Sequence, residues 1–146
     1  RLHAMLLYRT PESLTAKFNS KRNDNQNSYK VESWLLHHGE KLTGRFELSA
    51  YKLMNHLLKT IGETTTEDEL QEFAKNSTTK IHQIAINSDY FFAPNENIKT
   101  HNLLSNSTKN LTYHEINSIH GHDAFLIEYE RLNHILKTIF NTKQTH

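Results

Sequence analysis

Two short, alternating, β-branched runs, Ile81–Ile86 and Leu111–Ile116, enclose a segment of helical spacing from Pro94 to Leu104 and precede another from Ala124 to Phe140. Strand, helix, strand, helix in that order is a βαβ arrangement, whose strands lie parallel and whose crossover is right-handed. A parallel pair is stable only inside a wider sheet covered on both faces, and two strands do not make one. The sequence therefore implies further strands, expected N-terminal to Arg1.

The residues before this unit read as helices. Leu2, Met5, Leu6, Leu7 and Tyr8 form an apolar stripe, and Thr10-Pro11-Glu12 reads as a break at which Thr10 caps a second helix. From Asn19 to Ser28 no apolar residue is available for burial, and the segment reads as an exposed, mobile loop. Val31 to His38 is expected to be a helix ended by Gly39, and Ala50 to Ile61 another. After a polar turn at Gly62, the acidic Glu67-Asp68-Glu69 suits the start of a short helix reaching Lys75. The organisation expected is thus a helical region, residues 1–62, followed by an α/β segment, residues 63–146.

Composition narrows the function classes. Among 146 residues the net charge is +1 with both signs interspersed, so no polycationic face for nucleic acid or anionic lipid is expected. No apolar run approaches the ~20 residues of a membrane helix. The absence of cysteine excludes disulfides and thiolate metal sites and points to a reducing compartment, the cytoplasm. The sequons at Asn76, Asn106 and Asn110 read as accidental in an Asn-rich chain.

In open α/β sheets, ligands bind beyond the carboxyl ends of the strands. Asp89 follows the first strand and His122 the second, so the two can meet, the carboxylate orienting the imidazole and stabilising its protonated form. The plainer alternative is that Asp89 caps a turn and His122 caps the last helix. His120-Gly121-His122-Asp123 also suggests a metal site, but no further His follows and the sequence turns apolar at Phe125 and Leu126. Neither it nor His37-His38, neighbours about 100° apart on a helix, is read as a metal centre.

The segment Ile86-Asn87-Ser88-Asp89-Tyr90-Phe91-Phe92-Ala93-Pro94 resembles the strand and loop bearing the triad Asp of the homoserine O-acetyltransferases. Gly121-His122-Asp123-Ala124-Phe125-Leu126 with Glu128 resembles their triad-His segment, and Asp before His fits the α/β-hydrolase order Ser, Asp, His. Trp34 to Leu42 and Arg45 to Tyr51 look like the family's helical lid, with Leu42 where Phe is usual, and Arg1 to Arg9 resembles its first lid helix. The resemblance implies the C-terminal half of an α/β-hydrolase fold preceded by that lid. It implies Asp89 and His122 as catalytic residues, Arg1, Tyr8 and Asp123 as substrate-binding residues, no bound cofactor, and a homodimer formed through the lid helices. The implied reaction carries an acetyl group from acetyl-CoA to the hydroxyl of L-homoserine, in methionine biosynthesis.

The nucleophile has no place in the chain. A serine elbow needs small neighbours, and none of Gly39, Gly44, Gly62 and Gly121 brackets a serine as Gly-x-Ser-x-Gly requires. The Ser and oxyanion hole are expected in a missing N-terminal half, and the chain alone is expected to be inactive. Succinyl transfer, serine as acceptor, and a non-catalytic helical interaction module are the alternatives.

Overall fold

The computed structural model describes residues 1–24 and 27–140. Helices α1 (Leu2–Tyr8), α2 (Pro11–Phe18), α3 (Lys30–Arg45), α4 (Leu48–Thr60) and α5 (Glu67–Asn76) precede strand β1 (Ile81–Ile86). Helix α6 (Pro94–Ser105), strand β2 (Leu111–Ile116), a 3-10 helix (Gly121–Leu126) and helix α7 (Tyr129–Phe140) follow. The two strands pair in parallel, Ile81 opposite Leu111 and Ile86 opposite Ile116, as the strand, helix, strand order leads one to expect.

Each face of this ribbon meets one helix. Ile84, Ile86 and Ile116 pack with Ala124, Leu132 and Ile135, so α7 and the 3-10 helix cover one face. On the other face Gln83 donates through Nε2 to Asn97 O and Oδ1 of α6, and the Tyr113 ring lies 5.6 Å from His101. The result is an α/β/α sandwich of local width, compatible with part of a larger α/β fold. The smallness of the core follows: Ile86, Ile116 and Ala124 are its buried members.

Helix starts are set by local chemistry. Thr10 caps α2 by accepting from Ser13 N, and Thr66 and Glu69 form a reciprocal capping box at α5. Its backbone and hydroxyl bonds from Thr66 hold the Glu69 carboxyl below its usual pKa.

Two expectations need correction. Helix α3 does not stop at Gly39 but continues to Arg45. Gly39 lies within the helix, its open Cβ position facing the end of the Leu2 side chain of α1, 2.7 Å from Cδ1. The apolar run from Ala124 is not one helix: it opens as a 3-10 turn, with Ile127 and Glu128 N–H both bonded to Ala124 O, before α7 begins. The polar loop after α2 is largely exposed, as expected, and carries one antiparallel bridge from Arg22 to Tyr29; Asn25 and Gln26 lie outside the described residues.

Among the described residues no helix is long and apolar enough to cross a membrane.

Candidate active site

Both strands end in short polar loops that are sewn together. Asn87 N–H donates to Ile116 O, Ser118 N–H to Asn87 Oδ1, and Ser88 Oγ to Ser118 O at 2.6 Å; Gly121 N–H then donates to Ser88 Oγ. These serines are tied into strand-end hydrogen bonds, and among the described residues no serine hydroxyl bonds to His122. The stitching fixes where Asp89 and His122 emerge.

Asp89 is buried, 5% exposed, and its Oδ1 accepts from the backbone N–H of Phe91 and Phe92 at 2.7 and 2.9 Å. That leaves Oδ2, which lies 2.8 Å from His122 Nδ1. A carboxylate only accepts, so the bond assigns a ring hydrogen to Nδ1, and in the neutral imidazole Nε2 is then the nitrogen able to take a proton. Asp89 thus closes the turn with one oxygen and reaches the imidazole with the other.

The His122 ring is enclosed by aromatic rings, with centroids of Phe91 at 5.2 Å, Tyr8 and Phe92 at 5.3 Å and Phe125 at 5.7 Å. Tyr8 and Phe91 also line a cavity of about 370 Å³ bounded by Arg1, Arg45, Tyr51 and Asn55. Arg1 stacks its guanidinium over Tyr8 at 5.4 Å. Of the five residues singled out from the sequence, four thus gather around one space: Asp89 and His122 behind the rings, Tyr8 and Arg1 on the cavity wall.

Asp123 is placed differently. Its Oδ2 receives Arg9 Nε at 2.9 Å, and each side chain is only 14% exposed. Arg9 belongs to a tight elbow between α1 and α2 that grips the loop carrying His122. Thr10 Oγ1 donates to Ile119 O, Ser13 Oγ and His120 Nδ1 share a 2.8 Å hydrogen bond, and Gly121, at φ +66°, passes so close to the elbow that a Cβ would sit 2.9 Å from Tyr8 O. Sequence reading missed this second support. Its visible signals were Thr10 and Gly121, a cap and a lone glycine, but their partnership spans the whole chain. The nearby Lys17 ammonium has its pKa lowered, first by burial and then by the Arg9 charge.

Among the described residues no group of three or more His, Asp or Glu is placed to hold a metal ion. The arrangement suits proton transfer by an oriented imidazole set among aromatic rings, two of which, Tyr8 and Phe91, line a cavity.

No protein-family model matches the chain. Its sequence is 33% identical over 118 residues to a homoserine O-acetyltransferase of Methanococcus vannielii, an alignment covering 81% of this chain and 24% of that protein. A homoserine O-acetyltransferase of Cyclobacterium marinum is 31% identical over 140 residues, 96% of this chain and 38% of the relative. A homoserine O-succinyltransferase of Neisseria meningitidis is 31% identical over 137 residues, 89% of this chain and 36% of the relative. The chain spans between 24% and 38% of the length of these curated relatives, consistent with a C-terminal portion. On this similarity along most of its length, the chain belongs to the homoserine O-acetyltransferase family.

Proposed function

We propose that the whole protein transfers an acetyl group from acetyl-CoA to the hydroxyl of L-homoserine, as a step of methionine biosynthesis, through a Ser-His-Asp ping-pong mechanism. The observation that carries this reading is the 2.8 Å contact between Asp89 Oδ2 and His122 Nδ1 at neighbouring strand ends. Two relatives named homoserine O-acetyltransferase supply the substrates. The nucleophile is a serine elsewhere in the protein, on the part of an α/β-hydrolase fold that this chain does not span.

In the first half-reaction His122 Nε2 takes the serine proton as the serine oxygen attacks the thioester, and the imidazolium passes that proton to the sulfur as the C–S bond breaks, so CoA leaves as the thiol and an acetyl-serine remains. In the second, Nε2 takes the homoserine hydroxyl proton as that oxygen attacks the acyl-enzyme, then returns it to the serine. Asp89 stabilises the imidazolium in both. Arg1 offers a two-point donor to the homoserine carboxylate, with Tyr8 beside it. Asp123, with Arg9 on Oδ2, has Oδ1 left for the substrate ammonium. Residues 1–62 act as the lid and dimer-forming region, residues 63–146 as the acid–base part of the core, and the protein works in the cytoplasm. This chain alone is inactive.

The succinyltransferase relative supports a second reading, in which the same residues serve a succinyl donor. The test is CoA release by the intact protein with acetyl-CoA or succinyl-CoA, with and without L-homoserine. Release that requires homoserine and is lost in His122→Ala supports the proposal. Homoserine-dependent release from succinyl-CoA alone selects the second reading, and the absence of turnover with either donor refutes both.

A further inference from the structure

Helix α3 carries His38, Lys41 and Arg45 at spacings of three and four, which places them along one face. With Arg1 and Leu42 they line a cavity of about 140 Å³. Neither Lys41 nor Arg45 is in an ion pair among the described residues, and no carboxylate lines this cavity or the two beside it. Arg45 lays its guanidinium over the neighbouring Phe46 ring, centroid 5.2 Å away, which holds the head group without neutralising it. The field is felt locally: the pKa of His38 is lowered, first by burial and then by Arg1, His37, Lys17 and Lys41.

Behind these cations the walls turn apolar. One chamber of about 400 Å³ is bounded by Leu2, Phe46, Leu48 and Tyr51. The other, of about 370 Å³, runs past Met54 and Leu58 to Tyr8 and Phe91, whose rings flank His122. All three cavities have Arg1 and Leu42 in their walls, so they adjoin. Arg1 lines all three cavities, Arg45 lines both the small one and the chamber past Met54 and Leu58, and that chamber ends at Tyr8 and Phe91, the rings beside His122.

We propose that His38, Lys41 and Arg45 form a binding site for the phosphates of a CoA-type acyl donor, whose pantetheine arm lies along the apolar chambers toward His122. The inference rests on the acyl-transfer reading above and adds to it a site on α3. A helix rises 1.5 Å per residue, so Lys41 and Arg45 stand about 6 Å apart along the axis, with Arg1 on the same cavity wall, while His38, held toward its neutral form, adds a hydrogen-bond donor one turn before Lys41. The span from Lys41 to Arg45 is longer than one carboxylate and suits a diphosphate with a further phosphate near it. Arginine and lysine bind phosphate oxygens through charge-assisted hydrogen bonds, and an unneutralised cluster at a cavity mouth also steers a polyanion toward it.

The experiment compares acetyl-CoA with S-acetyl-pantetheine, the same thioester without phosphates or nucleotide, as donors to the intact protein. In Lys41→Glu and Arg45→Glu the preference for acetyl-CoA, taken as a ratio of kcat/KM values, is expected to fall by about ten-fold or more, and its salt dependence to flatten. Lys41→Gln and Arg45→Gln replace any reversal that does not fold. Calorimetric titration with CoA itself gives a readout separate from turnover, and its Kd should rise in parallel. A wild-type protein that binds CoA more tightly than pantetheine, loses that difference in the variants, yet acylates no homoserine would remove the proposed function and leave this site standing. An unchanged donor ratio and CoA affinity in folded variants would overturn the site, as would a wild-type protein that does not distinguish CoA from pantetheine.

Discussion

Arg9 and Asp123, 114 positions apart, meet through a 2.9 Å contact between Nε and Oδ2 that joins the first helices to the residue beside His122. Removing one partner leaves the other charge poorly solvated, so Arg9→Ala should destabilise the intact protein by about 1–3 kcal/mol. A double-mutant cycle with Asp123→Ala, read from urea unfolding, should show clear coupling. Strict additivity would mean that the pair contributes only geometry.

Asp89→Asn tests orientation apart from packing. The amide oxygen can still accept from Phe91 and Phe92 N–H, so the turn should persist and the unfolding temperature should change little. The amide nitrogen then faces His122 Nδ1 and demands the other tautomer, and acyl transfer by the intact protein should fall by about 10³–10⁴-fold. A loss below about ten-fold would remove Asp89 from the proton-transfer machinery.

Gly121→Ala tests the close passage of the His122 loop. A methyl group there meets Tyr8 O at 2.9 Å on a backbone at φ +66°, so a cost of about 1–3 kcal/mol is expected from strain and displacement together. Thermal unfolding of the intact protein measures it, and an unchanged midpoint would show that the elbow yields without cost.

Tyr113 gives the sheet an alkaline limit. Burial, and then the hydrogen bond to Glu115 and its charge, raise the Tyr113 phenol to about 12 from its ordinary 10.0. The folded state thus keeps a proton that the unfolded state gives up. The stabilising contribution is complete below pH 10 and is lost as pH rises from 10 toward 12. Urea midpoints of wild type and Tyr113→Phe across that interval should converge as the phenol ionises. Parallel pH profiles would contradict the assignment.

What the sequence revealed was mostly local. Ile81–Ile86 and Leu111–Ile116 were legible because alternation and β-branching are written within six residues, and the Thr10 cap because its partner is three residues away. The meeting of Asp89 with His122 followed from topology, since parallel strands bring their carboxyl ends together. The course of α3 through Gly39 was hidden because glycine often ends helices but is also tolerated inside them. The 3-10 turn was hidden for a related reason: Ile119, His120 and Asp123 are all held by residues 9–13, and those ties set the loop's path more strongly than the apolar spacing after Ala124. Arg9 left no mark beyond its charge.

The elbow that grips the His122 loop also carries a cost in chain entropy. Its contacts join residues 8–13 to 119–123, so they close a loop of more than a hundred residues, whereas the capping box of α5 needs only three. Closing so long a loop costs chain entropy before any contact repays it. The ties that set the His122 loop therefore carry a larger entropic cost of closure than the local bonds that start the helices.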